Sequence, residues 1–262
     1  MGKLESKTIL ITGGARGIGL CTARECQRLG AIVILADRDI EALKEAQFEL
    51  GEVDIHVVDI TDRQTVDEMA EAILSKYGSL DILVNNAGIG FHGSMAETET
   101  TDWQKLLSVN LVGTLNVTYA FLPSMRTEGN GIIVNVSSGQ AFIRMPTWGA
   151  YAAVKAALGV FSEVLYFEER KNGIHVATVY PFMVNTGFYE DVEGDSWGHR
   201  LSMKALPLYS MSPETVAKRI VRVIRDRQRI DLTHPINAFY WYGRLVPGFT
   251  QVTSTLSHLF LK

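Results

Sequence analysis

Apolar, β-branched runs alternate with helical patterns almost from one end of this 262-residue chain to the other, and that alternation leaves few folds open. Strands joined in succession by helical crossovers build a parallel sheet with helices on both faces. The runs fall at residues 8–12, 32–37, 55–60, 81–85, 131–136, 174–180 and, more weakly, 229–233. Most lack a polar residue at every second position, as strands buried on both faces do. Between them, Val66, Met69, Ala70, Ile73, Leu74 and Tyr77 recur at helical spacing and form one apolar stripe. Ser212-Pro213-Glu214 opens another helix, with Ser at the N-cap, Pro in the first turn and Val216, Ile220, Val223 and Ile224 on its buried face. No linker or repeat interrupts the rhythm. The expected architecture is α/β, a single doubly wound parallel sheet of about seven strands flanked by helices, in one domain spanning residues 1–234.

Composition narrows the function classes. With 47% hydrophobic and 21% charged residues the chain can fill a large core and is too mixed for disorder. A net charge of −4 gives a polyanion no bulk attraction, so nucleic acid is not an expected partner. Cys21 and Cys26, five apart in one helix, point to different faces, and no metal-ligand spacing occurs, so neither a disulfide nor a metal is expected. The opening residues carry no apolar signal region, which makes a cytoplasmic location the expectation. The uncharged stretch 106–125 contains Asn110, Asn116 and Pro123 and reads as a buried helix rather than a membrane span.

Two segments depart from the pattern. Residues 187–209 are long, irregular and rich in aromatic and aliphatic side chains, as substrate loops are. Residues 235–262 form an apolar tail, not a separate domain. Packing on the domain or on an oligomer partner is one reading, and peripheral contact with a membrane surface is the other.

Directly after the first strand comes Thr12-Gly13-Gly14-Ala15-Arg16-Gly17-Ile18-Gly19, and a helix follows. Glycines let the backbone turn tightly against a pyrophosphate, and a helix N-terminus offers N–H groups and a positive dipole end. The spacing is G-x-x-x-G-x-G, which departs from the commoner dinucleotide fingerprint. Asp37 ends the second strand 18 residues after Gly19, where a carboxylate accepts hydrogen bonds from the adenosine ribose and repels a 2′-phosphate. Arg16 and Arg38 lie near enough in sequence to attract that phosphate. Asp37 weighs more, so the reading favours NAD over NADP.

Asn85-Asn86-Ala87-Gly88, Asn110, Ser138 and Tyr151-x-x-x-Lys155 follow in order, and with them the chain resembles the short-chain dehydrogenase/reductase family over about residues 7–235. Ser138 precedes Tyr151 by the family's 13 residues. The segment from Pro181 through Phe182, Met183, Val184, Asn185, Thr186 and Gly187 to Phe188 resembles the one over the nicotinamide. It is most similar to the branch with retinol and 17β-hydroxysteroid dehydrogenases, although Phe182 stands where the wider family often has glycine. The resemblance implies a Rossmann-type fold, hydride transfer between a nicotinamide and an alcohol or carbonyl, and a homodimer or homotetramer formed through the helices of Asn110 and Tyr151.

The residues carry that chemistry on their own terms. Tyr151 and Lys155 are i and i+4 and share a helix face. A free Tyr has a pKa near 10, and a neighbouring ammonium lowers it, so Tyr151 can exchange a proton with the substrate. Ser138 would hold the substrate oxygen as charge develops, and Lys155 would also hold the nicotinamide ribose. By resemblance Asn110 would place a water that links Lys155 to solvent. Asp59 and Ile60, ending the third strand, would flank the adenine, and Asn86, Ala87 and Gly88 the adjoining ribose. Pro181, Val184 and Thr186 would contact the nicotinamide. Gln140, Phe142, Met183 and Phe188, with Phe91, Met145, Trp148 and Tyr189, would surround the reacting carbon. Their apolar character points to a small hydrophobic alcohol or carbonyl compound. His92 reads as a loop residue.

Overall fold

A computed structural model describes residues 4–51, 53–143, 145–184, 210–243, 245, 246 and 248. Thr186, Phe188, Tyr189 and the loop 187–209 lie outside the described residues, as does most of the chain after 243. The elements run β1 (Thr8–Thr12), α1 (Gly17–Arg28), β2 (Ile32–Asp37), α2 (Ile40–Leu50), β3 (Asp54–Val57), α3 (Arg63–Tyr77) and β4 (Ile82–Asn85). There follow α4 (Thr100–Leu107), a π-helical turn (Ser108–Gly113), α5 (Thr114–Glu128), β5 (Gly131–Val136), α6 (Gly149–Glu169) and β6 (Ile174–Val179). The described chain closes with α7 (Pro213–Asp226), β7 (Ile230–Asp231) and α8 (Pro235–Gly243).

The seven strands are all parallel, in the order β3-β2-β1-β4-β5-β6-β7. The strands β1, β2, β4, β5 and β6 feed both faces. Ile9 and Ile11 of β1 pack with Ala23, Leu43 and Ile220 from α1, α2 and α7. Leu10 between them packs with Ile73, Phe121 and Leu165 from α3, α5 and α6. That double burial is why the strands read as unbroken apolar runs. The stripe on α3 behaves as its spacing predicts: Val66, Met69, Ala70 and Ile73 are buried, and Leu74 and Tyr77 pack partly against the same core. Helix starts are fixed by short polar side chains. Asp39 accepts from the Ala42 N–H, Asp62 from Gln64 and Ser212 from Thr215.

Strand ends differ from expectation for reasons of pairing. β3 stops at Val57, opposite Asp37, because its partner β2 ends there. Asp59 and Ile60 therefore lie beyond the strand rather than ending it. β7 is reduced to two residues, since the Asp231 carboxylate takes the Thr233 N–H and turns the chain away. The stretch 106–125 is not one uniform α-helix, because the π-helical turn interrupts it, and Leu107, Val112 and Tyr119 on it are exposed. By length and composition the runs Thr100–Glu128 and Gly149–Asn172 could each cross a bilayer. Both lie against the sheet, with 44% and 50% of their most apolar windows buried.

The first nine residues of the apolar tail are part of the fold. Ile236, Tyr240 and Trp241 of α8 pack with Phe142, Ile143 and Tyr180, and the Phe142 and Trp241 rings meet edge to face at 5.4 Å.

Candidate active site

The strand order reverses between β1 and β4, and ligands of such sheets bind in the crevice outside the carboxyl ends at that reversal. A cleft of about 1380 Å³ opens there. It exceeds the several hundred Å³ of a pocket for one small ligand, leaving room for a dinucleotide and a second molecule.

Thr12 of β1 pairs with Asn85 of β4, so the turns that follow the two strands lie side by side. Asn86 Nδ2 donates to the Thr12 and Gly13 carbonyls at 3.1 and 2.9 Å, while Thr12 Oγ1 accepts from the Asn86 and Ala87 N–H groups. The contact leaves no room for a side chain. A Cβ at Gly13, whose φ is +60°, would stand 2.8 Å from Ala87 Cα, and one at Gly19 would stand 2.0 Å from the Gly13 carbonyl oxygen. Beyond this turn α1 begins with an extended Arg16, no capping side chain and no acidic residue in its first turn. Gly17 and Ile18, at the start of α1, line the cleft, and a helix N-terminus there, with no acidic residue of its own in the first turn, fits a pyrophosphate.

Asp37, Arg38, Asp59 and Ile60 wall the far end of the cleft. Asp37 Oδ1 accepts from the Asp39 N–H at 3.2 Å and Oδ2 from Ala15 at 3.4 Å, which points the carboxylate back toward the glycine turn. Arg16 is ion-paired with Asp39, a partner that its place in the sequence does not announce. Asp59 closes a small turn through the Thr61 N–H and hydroxyl at 2.9 and 2.7 Å, and Asp62 caps α3.

At the near end α6 stacks Tyr151 and Lys155 one turn apart, both buried and both on the cleft wall. Lys155 Nζ donates to the Val136 carbonyl at 3.1 Å and lies 5.9 Å from the centre of the Tyr151 ring. Burial pushes its pKa down to about 8. Asn110, on the π-helical turn, is fully buried. Its Oδ1 accepts from the Ile89 N–H at 3.1 Å and its Nδ2 donates to the Ile89 carbonyl at 3.0 Å. A Cβ at Gly88 would be 2.6 Å from Asn110 Oδ1 and 3.3 Å from Lys155 Nζ, so one bare glycine separates the two groups. Ser138 leaves the end of β5, and its Oγ accepts from the Gln140 N–H at 3.2 Å. Pro181, Met183 and Val184 close the opposite wall.

The structure gathers most of the predicted residues on this one cleft: Gly13, Arg16, Gly17, Ile18, Asp37, Arg38, Asp59, Ile60, Asn86, Ala87, Gly88, Ser138, Tyr151, Lys155, Pro181, Met183 and Val184. Gly19 and Asn110 stand just behind the wall, against Gly13 and Gly88. Gln140 and Phe142 do not line it. The Gln140 amide reaches Met145 Sδ at 3.5 Å, and Phe142 is core, packed on Tyr180 and Trp241. Sequence reasoning misses the extension of the cleft between α1 and α7, lined by Cys21, Arg24 and Pro213. Cys21, one helical turn after Gly17, is the signal that was readable. It also does not foresee that His92 lines the cleft, held by Thr147 Oγ1 at 2.7 Å.

A family model for short chain dehydrogenases matches residues 7–196. A 3-oxoacyl-(acyl-carrier-protein) reductase from Thermotoga maritima is 36% identical over 228 residues, which cover 86% of this chain and 92% of that protein. Among solved structures, a short-chain dehydrogenase/reductase from Burkholderia phymatum in complex with NAD superposes with a TM-score of 0.84. It is 28% identical, covering 92% of this chain and 93% of its own. A 3-ketoacyl-(acyl-carrier-protein) reductase from Brucella melitensis complexed with NADH gives 0.76 at 27% identity, covering 84% and 91%. With the dinucleotide-shaped cleft at the switch point, these likenesses make the chain a member of the short-chain dehydrogenase/reductase family, an NAD(P)-dependent oxidoreductase acting on CH–OH or carbonyl groups.

Proposed function

We propose that this enzyme interconverts a hydrophobic alcohol and its ketone or aldehyde, with Tyr151 as general acid/base, Ser138 holding the substrate oxygen and Lys155 tuning Tyr151. The observation that carries the reading is the burial of Lys155 one helical turn from Tyr151, its ammonium resting on the Val136 carbonyl at the floor of the cleft. A buried ammonium with no carboxylate partner among the described residues favours an anion nearby, and a phenolate at Tyr151 is such an anion. Ser138 donates its hydroxyl proton toward the substrate oxygen while its lone pair keeps the Gln140 N–H. The bound nicotinamide supplies the hydride acceptor or donor. Asn110 fixes the loop at Ile89 through both ends of its amide and so holds Gly88 against Lys155.

An apolar substrate is supported by the surroundings of Tyr151, which packs with Leu106, Trp148 and Val154, with Ile89, Phe91 and Met145 alongside. The similarity of the segment 181–188 to the retinol and 17β-hydroxysteroid dehydrogenase branch points the same way. The relatives named for 3-oxoacyl groups on an acyl-carrier protein add an oxo-thioester to the candidates. Steady-state rates against aliphatic, aromatic, isoprenoid, steroid, oxo-thioester and sugar carbonyls test the class. Preference for a lipophilic member is expected, and a clear preference for sugars overturns it.

NAD is the favoured cofactor, because Asp37 stands on the adenosine side of the cleft and Arg16 is already paired with Asp39. The ratio of kcat/KM for NAD over NADP should exceed one and fall by roughly tenfold in Asp37→Ser, the effect of removing about 1 kcal/mol or more of repulsion. A wild-type preference for NADP sinks this choice. Exposed Val160, Val164 and Phe167 on α6, Val112 on the π-helical turn and Tyr119 on α5 give a homodimer or homotetramer an apolar contact face. The remainder of the tail, with exposed Tyr242, Leu245 and Val246 leading into it, suits an interface or a membrane surface. Fractionating cells that express the full chain against one cut after Gly243, which keeps α8, separates the two.

A further inference from the structure

Asn237 lies outside every motif that marks the cofactor and catalytic positions, yet it touches the segments that carry two of them. It sits on the first turn of α8 and is fully buried. Its Nδ2 spends both hydrogens on backbone, donating to the Tyr180 and Leu232 carbonyls at 2.7 Å each. The Tyr180 carbonyl, one peptide before Pro181 on the cleft wall, also receives the Thr233 hydroxyl at 2.7 Å. The other end of the amide lies on Gly139, the residue after Ser138. A Cβ there would meet Asn237 Oδ1 at 2.4 Å and its Cγ and Nδ2 at 3.1 Å. Gly139 in turn donates its N–H to the Pro181 carbonyl at 2.8 Å. One planar amide is therefore wedged between the turn that presents Ser138 and the strand exit that leads to Pro181.

Asn237 Oδ1 has no hydrogen-bond donor among the described residues although it is buried. A buried acceptor without a donor is unfavourable, and an apolar side chain of similar size would avoid it. What the amide does in return is bind two carbonyls while its oxygen abuts a glycine, which no aliphatic side chain can do together.

We propose that Asn237 is a positioning residue for the reaction: it sets where the Ser138 turn stands relative to Pro181, and through it where the Ser138 hydroxyl meets the substrate oxygen. This rests on the reading of Ser138 given above. A displacement of that hydroxyl by a fraction of an ångström weakens a hydrogen bond that matters most as charge develops, so it lowers kcat more than it alters binding.

The test measures kcat, KM and the dissociation constant of reduced cofactor for Ser138→Ala, Asn237→Ala and the double variant, with kcat expressed per cofactor-binding site so that unfolded protein drops out. Asn237→Ala is expected to lower kcat by roughly 30-fold with the cofactor constant within about twofold, and to change kcat by less than about threefold when Ser138 is already Ala. Asn237→Ser, which keeps one donor, should recover part of the loss. An equal loss in the wild-type and Ser138→Ala backgrounds overturns the proposal, as does an unchanged kcat per site. If both Asn237 variants fail to bind cofactor, the residue serves folding alone and the proposal also falls. If Ser138→Ala itself turns over normally, it is the reading of Ser138 that fails.

Discussion

Tyr151→Phe is expected to lower kcat by about 10³ to 10⁴-fold and to leave the dissociation constant of reduced cofactor within about twofold, the range in which a positioned acid/base acts. The substitution removes one oxygen and keeps the ring. That ring is buried in an apolar cluster with Trp148, Val154 and Leu106, edge to face with Trp148 at 6.0 Å, so the fold of α6 and the cofactor side of the cleft have no reason to move. Stopped-flow or steady-state absorbance of the reduced nicotinamide reads the rate, and its fluorescence reads the binding. A Tyr151→Phe enzyme with wild-type turnover would sink the mechanism.

Lys155 adds a pH signature to the same site. Its pKa falls from 10.5 free to about 8 folded, because burial disfavours the ammonium. The unfolded chain therefore binds more protons between about pH 8 and 10.5, and this group's contribution to stability rises with pH across that window. Below pH 8 the buried charge is a standing cost on the order of 3 kcal/mol. Lys155→Met should then match or exceed the wild-type Tm at pH 7, lose that advantage toward pH 10, and lose most turnover at every pH. A variant less stable than wild type at pH 7 would mean that the ammonium is a structural partner rather than a strained, functional one.

How much of this was legible beforehand follows from what each feature depends on. β1, β2 and β5 were readable to the residue, since each is an apolar run bounded by polar or glycine turns and needs no knowledge of its neighbours. β3 and β7 were not, because their ends are set by where β2 stops and by the Asp231 carboxylate. The positions of Ser138, Tyr151 and Lys155 are fixed by spacing along β5 and α6, so one cleft could be inferred from them. The π-helical turn at Asn110 could not, since the Asn110 amide there bonds Ile89, 21 residues away in sequence. Gln140 and Phe142 follow Ser138 closely enough to suggest substrate contact, yet α8 covers Phe142 and withdraws it into the core. That helix was read only as part of an apolar tail, although Pro235 at its start with Ile236 and Tyr240 one turn apart was a signal for it.

Gly19→Ala carries the other large effect, and it sets two rules against each other. Gly19 is inside α1, where Ala is the better helix former by about 1 kcal/mol, so propensity alone predicts a more stable protein. Contact predicts the opposite. The new methyl would stand 2.0 Å from the Gly13 carbonyl oxygen and 2.9 Å from its carbon, and backbone cannot rotate away as a side chain does. Gly13 is held from the other side by Asn86 Nδ2, which would itself lie 2.8 Å from the methyl. Relief requires the glycine turn to shift and the Asn86 bonds to lengthen. Overpacking of this kind costs about 1 to 3 kcal/mol, which outweighs the helix term. The displaced backbone is also the surface that would meet the pyrophosphate, so affinity for reduced cofactor should fall by roughly 100-fold or more, alongside a lower Tm. Gly51→Ala is the control: its φ of +75° brings strain, but nothing stands within 4 Å, so it should lose about 1 kcal/mol of stability and keep full cofactor affinity. Titration of nicotinamide fluorescence separates the two, and a Gly19→Ala enzyme that binds reduced cofactor like wild type would show that the cofactor does not lie on this turn.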